Sequence, residues 1–350
     1  MTDIASFVVS DIHGEYELFI RLLEEIHLKE TDTLYVLGDI LDRGPHPIQI
    51  ILKLMEMPNV VCLTGNHELM ALECLEFLMQ EITEIAELKE IQLGILRKVD
   101  ELCKAHHLKY FMSDGTLLGA VRHKGYIPWD DDLDIWMPRK DYEKLEQIMN
   151  QEDSCYKVVN HKNTKGYIYA FGKAVDTRTI LKENIEVNCP MGIYVDIFPY
   201  DGLPGENKED YIKHVRKCLY LEKQRYRGFQ SFKGVKGNHT TGNTKRFVFW
   251  AVRRLIGGKN FIRMVDRLSQ RYPVEGAKYV GCLVGGYKEK DMMPAEIFSE
   301  AVELEFEGEH FRAPKGYDTY LTIEYGDYMT LPPVEQRVTH HDFKAWWKTK

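Results

Sequence analysis

Four aspartates crowd into five residues near the middle of the chain, at Asp130, Asp131, Asp132 and Asp134. Carboxylates this close repel one another, and a stable fold retains them when a cation or a cationic substrate neutralises them. Apolar side chains alternate with Asp132 and Asp134, which is the period of a half-buried strand and would place both carboxylates on one face. The run therefore predicts a site for Mg²⁺ and a phosphate, as phosphoryl transfer requires.

A small turn and a predicted helix precede these acids. Gly115 and Thr116 form the turn, and Arg122 and His123 follow the helix, where they could meet a phosphate. The alternative is a solvated acidic loop, since charge runs are usually exposed. Apolar bulk on both sides of the acids, within 128–136, favours a built site instead.

The same stretch resembles a known family. Gly-Thr-Leu-Leu-Gly-Ala-Val-Arg at 115–122 and the acidic segment 127–135 are similar to the signature of the LicD family of choline-phosphate transferases, relatives of the fukutin group. The resemblance covers about residues 85–350, is weakest at roughly 205–280, and rests on further segments in the same order: 87–93, 192–199, 201–204, 306–308, 313–314 and 325–333. It implies an α+β nucleotidyltransferase-like domain in which a Gly-Ser or Gly-Thr turn precedes an Asp-x-Asp strand.

The resemblance also implies roles for individual residues. Asp132 and Asp134 would be catalytic and hold Mg²⁺, and Asp196 would be the third catalytic carboxylate, serving metal or the acceptor hydroxyl. The predicted strand around Asp196 alternates, with 194, 196 and 198 pointing one way. For Asp196 the alternative is an ordinary strand acid. The expected substrate-binding residues are Gly115, Thr116, Arg122 and Lys173, although a lone lysine or arginine is also often a surface residue.

The activity implied by the resemblance is Mg²⁺-dependent transfer of a phospho-substituted group, such as phosphocholine. The donor would be CDP-linked, cytidine monophosphate would leave, and the acceptor would be the hydroxyl of a cell-surface glycan or lipid-linked glycan. Lipopolysaccharide and teichoic acid are the acceptor classes that we expect.

The first eighty residues follow a different pattern. Three apolar segments end in polar motifs: Asp11-x-His13 after the first, Asp39 and Asp42-Arg43 after the second, and Asn66-His67 after the third. Helical segments near 16–27 and 46–56 separate them, which predicts an α/β half-domain of βαβαβ order with the polar residues at the carboxyl ends of parallel strands. The motifs resemble the calcineurin-like metallophosphoesterases, especially the phosphoprotein phosphatase branch.

The second resemblance assigns some of the family's metal ligands to residues of this sequence, whereas other ligands of the family have no counterpart here. It implies that Asp11 and His13 hold one metal, Asp39 bridges two, Asn66 holds the second, and His67 and Arg43 act on the leaving group and the phosphate. The family's further histidines come from a second half that this sequence lacks, so Mn²⁺ or Zn²⁺ should bind weakly. We therefore interpret residues 1–75 as part of a phosphoesterase, without useful phosphatase activity.

Three interpretations of the whole chain remain open from the sequence. The favoured one is the transferase. The second is a metal-dependent phosphoesterase that uses the N-terminal motifs, and the third is a scaffold in which the N-terminal part only docks. We predict a partial phosphoesterase-like unit at 1–77 and the LicD-like domain at 78–350. A helical stretch from 78 to 107, with Leu88, Ile91, Ile95, Val99 and Leu102 at helical spacing, would join them.

Bulk properties indicate an ordinary globular protein with an uneven charge. The seven cysteines show no C-x-x-C pair, and Met1-Thr-Asp-Ile offers no basic leader, so we expect a cytoplasmic protein. Cys189 and Cys282 could bind zinc only with partners that the sequence does not reveal. Nucleic acid is not an expected partner, because the net charge is −8 and no nucleic-acid motif occurs.

One segment departs from this acidic balance. Residues 208–271 hold 17 Lys or Arg against 4 Asp or Glu, which leaves +13 there and −21 elsewhere. Residues 245–271 are predicted to be mostly helical, interrupted at Gly257-Gly258, with several aromatic residues. Such a segment could contact the inner face of a membrane peripherally, or be a core helix with a solvated basic face.

Overall fold

The computed structural model describes residues 5–71, 80–183, 189, 191–232, 240–285, 289–337 and 343–348. The chain divides into two compact units, Met1–Gln80 and Glu81–Lys348. The predicted boundary between residues 77 and 78 falls within 72–79, outside the described residues. Each unit is described by itself.

The N-terminal unit is a three-stranded parallel sheet with two helices. Its elements are β1 (Ser6–Val9), α1 (Tyr16–Glu25), β2 (Thr33–Val36), α2 (Pro47–Glu56) and β3 (Val60–Cys62), and the sheet order is β1-β2-β3. Because the strands are parallel, their carboxyl ends meet at one edge, where the polar loops follow. The core beneath the helices consists of buried apolar residues: Ile12, Phe19, Leu34, Val36, Ile40, Ile50 and Leu54.

The second unit is a mixed α/β fold around a seven-stranded sheet. The sheet runs β12-β11-β10-β6-β5, with β8 paired to β10 and β7 paired to β8. These strands are β5 (Phe111–Met112), β6 (Asp134–Pro138), β7 (Tyr156–Val159), β8 (Gly172–Asp176), β10 (Tyr194–Gly202), β11 (Tyr279–Gly281) and β12 (Met292–Pro294). The central strand β10 runs parallel to β6 and antiparallel to β8, and all nine of its residues are buried.

Helices and smaller sheets surround this sheet. The helices are α3 (Ile85–Ala105), α4 (Asp114–His123), α5 (Arg139–Gln151), α6 (Lys208–Phe229), α7 (Thr240–Ile256), α8 (Gly258–Ser269) and α9 (Tyr317–Tyr325). The remaining strands are β4 (Gln80–Glu81), β9 (Thr179–Glu183), β13 (Ala301–Phe306), β14 (Glu309–Pro314) and β15 (Phe343–Trp347). No helix in the described ranges is both long and apolar enough to cross a membrane.

The helix predicted for 78–107 is correct in its core and wrong at its start. All five residues of its predicted apolar stripe are buried, and the helix ends at Ala105. However, β4 covers Gln80–Glu81, and the Ile82 amide donates to the Ala345 carbonyl at 2.8 Å. This hydrogen bond to a residue distant in sequence holds Ile82 in extended backbone, so the helix begins only at Ile85.

Two local expectations at the acidic run also need correction. Strand β6 begins at Asp134, and Asp132 lies before it in the preceding loop, so the two do not share a strand face. The loop turns back at Asp130, whose amide donates to the Ile127 carbonyl at 2.9 Å. Gly115 and Thr116 are not in a free turn, because they belong to the first turn of α4.

The predicted interruption at Gly257-Gly258 is confirmed. Helix α7 ends at Ile256, and α8 begins at Gly258. Gly257 has φ +79°, a conformation that side-chain-bearing residues rarely adopt, so glycine is what allows the chain to change direction there.

Candidate functional site

The acidic loop forms a compact group of carboxylates. Asp130, Asp131 and Asp132 each offer an oxygen within 4.8 Å of the others, and Asp131 is buried. The Asp130 carboxylate lies over the first turn of α4, where a Cβ added to Gly115 would come within 2.6 Å of Oδ2. A glycine at 115 is therefore what lets Asp130 approach the helix N-terminus, whose dipole favours negative charge. In the sequence, Asp130 and Asp131 belong to the acidic run, but only Asp132 and Asp134 were individually predicted to bind metal.

Asp134 and Asp196 form the second part of the site. They are register partners on the parallel strands β6 and β10, so their side chains project side by side. The Thr116 hydroxyl accepts the Asp134 amide at 2.8 Å, which ties α4 to the start of β6. Burial, and then the charges of Asp132 and Asp114, raise the pKa of Asp134 well above its usual range. A bound cation would relieve this crowding.

Lys173 lies against Asp196, on the strand that pairs with the other side of β10. Its Nζ is 2.7 Å from Asp196 Oδ1, and the side chain is only 2% exposed. The ammonium also sits 3.3 Å from the ring centroid of Tyr194 and 4.8 Å from that of Tyr169. Lys173 is thus a buried partner of a carboxylate, and its predicted contact with a donor phosphate stays a prediction.

A further carboxylate at the start of α4 escaped the sequence reasoning. Asp114 accepts hydrogen bonds from Trp136 Nε1 at 3.1 Å and from the Tyr320 hydroxyl at 3.2 Å. Burial raises its pKa, despite these donors. Nearby, burial and the Asp114 charge raise the pKa of Asp291 to about 9, and one oxygen of Asp291 has no hydrogen-bond partner. Asp114 and Asp291 stand alone in the sequence, so no pattern indicated them.

Cationic and aromatic side chains adjoin the acidic loop. Arg122 donates to the Tyr328 carbonyl at 2.8 Å and to His123 Nε2 at 2.9 Å. Burial and the neighbouring charge of Arg337 lower the pKa of Arg122. The Arg337 guanidinium lies 5.4 Å from the ring centroid of Trp129, the residue before Asp130. Arg122 is thus held in place by His123 and the Tyr328 carbonyl, and Arg337, which the sequence did not single out, lies near it and over Trp129.

The residues present fit a hard divalent cation. Such ions prefer carboxylate oxygens, and three carboxylates converge in the acidic loop. Asp134 and Asp196, held side by side on neighbouring strands, supply two more carboxylates. Arginines beside them can contact the phosphates of a substrate. By contrast, Cys189 and Cys282 are buried, and within the described ranges neither belongs to a group of three possible metal ligands.

The N-terminal unit contains a separate group of possible metal ligands. Asp11, His13 and Asp39 each place a ligand atom within 4.8 Å of the others. The backbone around them is strained, because five non-glycine residues have positive φ: Asp11, His13, Asp39, Asp42 and Arg43. Strain of this kind persists where the surrounding structure enforces it, often at functional sites.

Glu68 is the residue that holds these loops together. Its carboxylate accepts backbone amides of Asp39, Ile40, Leu41 and Gly65 at 2.6–2.9 Å. Burial alone would raise the pKa of Glu68, but the four amide donors together lower it. Glu68 directly follows Asn66-His67 in the sequence, where nothing indicated that it would bind the second loop.

The other predicted phosphoesterase residues lie around the same edge. His67 Nδ1 is 3.2 Å from Asp42 Oδ2, and its ring contacts that of His13 edge-on, with 4.9 Å between centroids. Asn66 and Arg43 are exposed. The roles proposed for all of these residues stay predictions.

Comparison with known proteins gives the family. The family model described as LicD/FKTN/FKRP, nucleotidyltransferase domain, matches residues 107–232. The chain is 32% identical over 278 residues to the lipopolysaccharide cholinephosphotransferase LicD of Haemophilus influenzae, a match that covers 77% of this chain and 99% of that protein.

A second group of relatives matches the N-terminal part. Serine/threonine-protein phosphatase 2 of Escherichia coli is 32% identical over 129 residues, which is 34% of this chain and 58% of the phosphatase. A symmetrical bis(5'-nucleosyl)-tetraphosphatase of Salmonella paratyphi A is 36% identical over 67 residues, 24% of its length. The chain thus spans only part of these phosphatases, whereas it matches the Haemophilus protein almost end to end. The chain belongs to the LicD family, with a metallophosphoesterase-like segment at its N-terminus.

Proposed function

We propose that this protein transfers a phospho-substituted group, such as phosphocholine, from a CDP-linked donor to the hydroxyl of a cell-surface glycan. The observation that carries this proposal is the pair Asp134 and Asp196, side by side on parallel strands next to the carboxylates of the acidic loop. The Haemophilus relative is named as a cholinephosphotransferase that acts on lipopolysaccharide, which supports the same reaction class here.

In the proposed reaction, the acceptor oxygen attacks the donor phosphorus that belongs to the transferred phospho-substituted group. The bond from that phosphorus to the bridging oxygen breaks, cytidine monophosphate leaves, and a carboxylate accepts the hydroxyl proton. Asp196 is our candidate for this acceptor, because the Lys173 ammonium fixes its Oδ1 at 2.7 Å. Arg122 and Arg337 would bind the donor phosphates.

Asp132 and Asp134 would hold Mg²⁺, together with Asp130 or Asp131. When bound, Mg²⁺ would neutralise charge on the phosphates of the donor. Thr116 and Gly115 would act indirectly, Thr116 by fixing the Asp134 amide and Gly115 by leaving room for Asp130.

The test is to incubate the protein with Mg²⁺ and a panel of CDP-linked choline, ethanolamine and alditol donors, with a glycan acceptor, and to measure cytidine monophosphate. Asp132→Asn and Asp134→Asn should each lower the rate by orders of magnitude while the melting temperature barely changes. Asp196→Asn should lower turnover more than donor binding. Asp153→Asn, an exposed acid elsewhere, is the matched control. Full activity in the first two variants would disprove the assignment.

For the N-terminal unit we propose that it is not an active phosphatase by itself. Asp11, His13 and Asp39 would supply part of a two-metal shell, and the phosphatase relatives are matched over only part of their length. The alternative, a working phosphoesterase, predicts hydrolysis of p-nitrophenyl phosphate with added Mn²⁺ that disappears in His67→Ala and persists in His106→Ala. We expect no such rate, and a rate with that pattern would establish the alternative.

A further inference from the structure

Helix α7 presents an apolar face that no described residue of its own unit covers. Its side chains at 248, 249, 252, 255 and 256 follow the spacing of a single helix face. They are exposed by 38–86%, with Leu255 the most exposed. A contiguous apolar patch of this kind usually marks an interaction surface.

The opposite side of α7 is fixed to the rest of the unit. Trp250 Nε1 donates to the Gln230 carbonyl at 3.0 Å, and Arg253 Nε donates to Gln224 Oε1 at 2.5 Å. The Phe247 ring packs against Phe232, with 5.4 Å between centroids. These contacts set the rotation of the helix, so the apolar face points away from the unit.

Helix α8 adds a row of positive charge. Lys259, Arg263 and Arg267 are spaced by four residues and therefore lie along one side of the helix, and Arg271 follows two residues beyond its end at Ser269. Two depressions, of about 620 and 720 Å³, share Arg263 and Arg267 in their walls. Met264, 48% exposed, gives the larger one an apolar surface beside the guanidinium groups.

Among the described residues these cations form no salt bridge with an acid, in contrast to others on the same unit. Lys140 and Lys315 pair with Glu275 and Glu300 at 2.6 and 2.7 Å. Within the part of the chain that the structure describes, no carboxylate forms a salt bridge with the following residues: Lys245, Arg246, Arg254, Lys259, Arg263 and Arg267. Asp266, the only acid in α8, is buried and contacts Arg139 at 3.1 Å. The charge is available for an external anion.

We propose that α7 and α8 dock this protein on an anionic lipid bilayer, with the apolar face of α7 in the interface and the cations of α8 on lipid phosphates. Apolar insertion and basic attraction together give stable peripheral binding, where one alone is marginal. A second copy fits poorly, because two surfaces from a segment with a charge of +13 would repel each other. A nucleic acid would bind the cations of α8 but would leave the apolar face of α7 without a partner. The proposal does not depend on transferase activity, since binding is measured without a donor.

The test is vesicle flotation of the full chain, comparing phosphatidylcholine with a mixture of phosphatidylcholine and phosphatidylglycerol. We expect at least about tenfold stronger partition to the anionic vesicles, weakening as salt rises. Arg263→Gln with Arg267→Gln should reduce it by about 25-fold, roughly fivefold per arginine. Phe249→Ser with Leu255→Ser should reduce it by roughly tenfold or more.

Two matched pairs control for composition. Lys140→Gln with Lys315→Gln removes equal charge from paired surface lysines, and Met55→Ser with Val334→Ser removes exposed apolar residues elsewhere (79% and 72% exposed). Neither should change partition, and thermal melting should confirm that every variant is folded. Equal partition to both vesicles, no binding, or an unchanged Phe249→Ser/Leu255→Ser variant would overturn the proposal. So would a dimer in sedimentation velocity that this variant abolishes.

Discussion

Replacing Lys173 by Met should strongly destabilise the LicD-like unit. Lys173 is 2% exposed, and its ammonium lies 2.7 Å from Asp196 in the buried strand β10. Removing one partner of a buried ion pair costs about 3–5 kcal/mol of unfolding free energy, because the remaining charge keeps its desolvation penalty. At about 2–4 °C per kcal/mol, the melting temperature should fall by roughly 6–20 °C.

The assay is thermal unfolding followed by circular dichroism, at low and high salt. Lys140→Met is the control, because its ion pair with Glu275 is equally short, at 2.6 Å, but the two side chains are 77% and 61% exposed. That variant should melt close to the wild type, since exposed pairs contribute little. High salt should not reduce the loss in Lys173→Met, because a buried pair is poorly screened.

A double variant separates ion pairing from simple packing. Lys173→Met with Asp196→Leu replaces the pair by apolar groups, which is often neutral or stabilising. It should therefore recover at least half of the melting temperature lost in Lys173→Met. The reasoning is refuted if Lys173→Met melts like the Lys140→Met control, or if the double variant is less stable than Lys173→Met alone.

Three further predictions follow from single contacts. Gly115→Ala should leave stability nearly unchanged, because alanine in a helix is about 1 kcal/mol more favourable than glycine, which offsets the displacement of Asp130 by a Cβ only 2.6 Å from its Oδ2. The rate of transfer and the affinity for Mg²⁺ should fall, and an unchanged rate of transfer would contradict this prediction. In the folded protein, burial raises the pKa of Asp291 to about 9, whereas in the unfolded chain this carboxyl ionises above about pH 4. Its contribution to stability therefore declines as the pH rises from about 4 to about 9. Asp291→Asn should therefore raise the melting temperature more at pH 8 than at pH 4.5, and a pH-independent effect would refute this. Glu68→Ala should cost the N-terminal unit roughly 2 kcal/mol or more, seen as faster proteolysis within that unit, because four amides lose their acceptor.

The predictions from the sequence were most accurate where a local repeat of apolar residues determines the secondary structure. The apolar stripe of α3 repeats at three and four, and each of its five predicted residues is buried. The break at Gly257-Gly258 was equally clear, because glycine needs no tertiary partner to end a helix.

The predictions were less accurate where contacts between residues distant in the sequence determine the local structure. Ile82 is extended because its amide bonds to Ala345, which no local propensity reveals. Asp132 sits in a loop rather than on β6, because the chain turns at Asp130 to reach the helix N-terminus at Gly115. Asp114 and Asp291 were missed for the same reason, since only the folded chain brings isolated acids together.

The strained backbone of the N-terminal unit lies next to its possible metal ligands Asp11, His13 and Asp39. Each non-glycine residue in the left-handed region costs on the order of 1 kcal/mol or more, and two short loops hold five of them. Glu68 maintains this geometry through four backbone amides. Asp11, His13 and Asp39 are the group of possible metal ligands that this strained backbone brings together. Hydrolysis requires more than that, because a metal-activated water must also be positioned. We therefore propose that the group Asp11, His13 and Asp39 binds an ion or a phosphate without turnover.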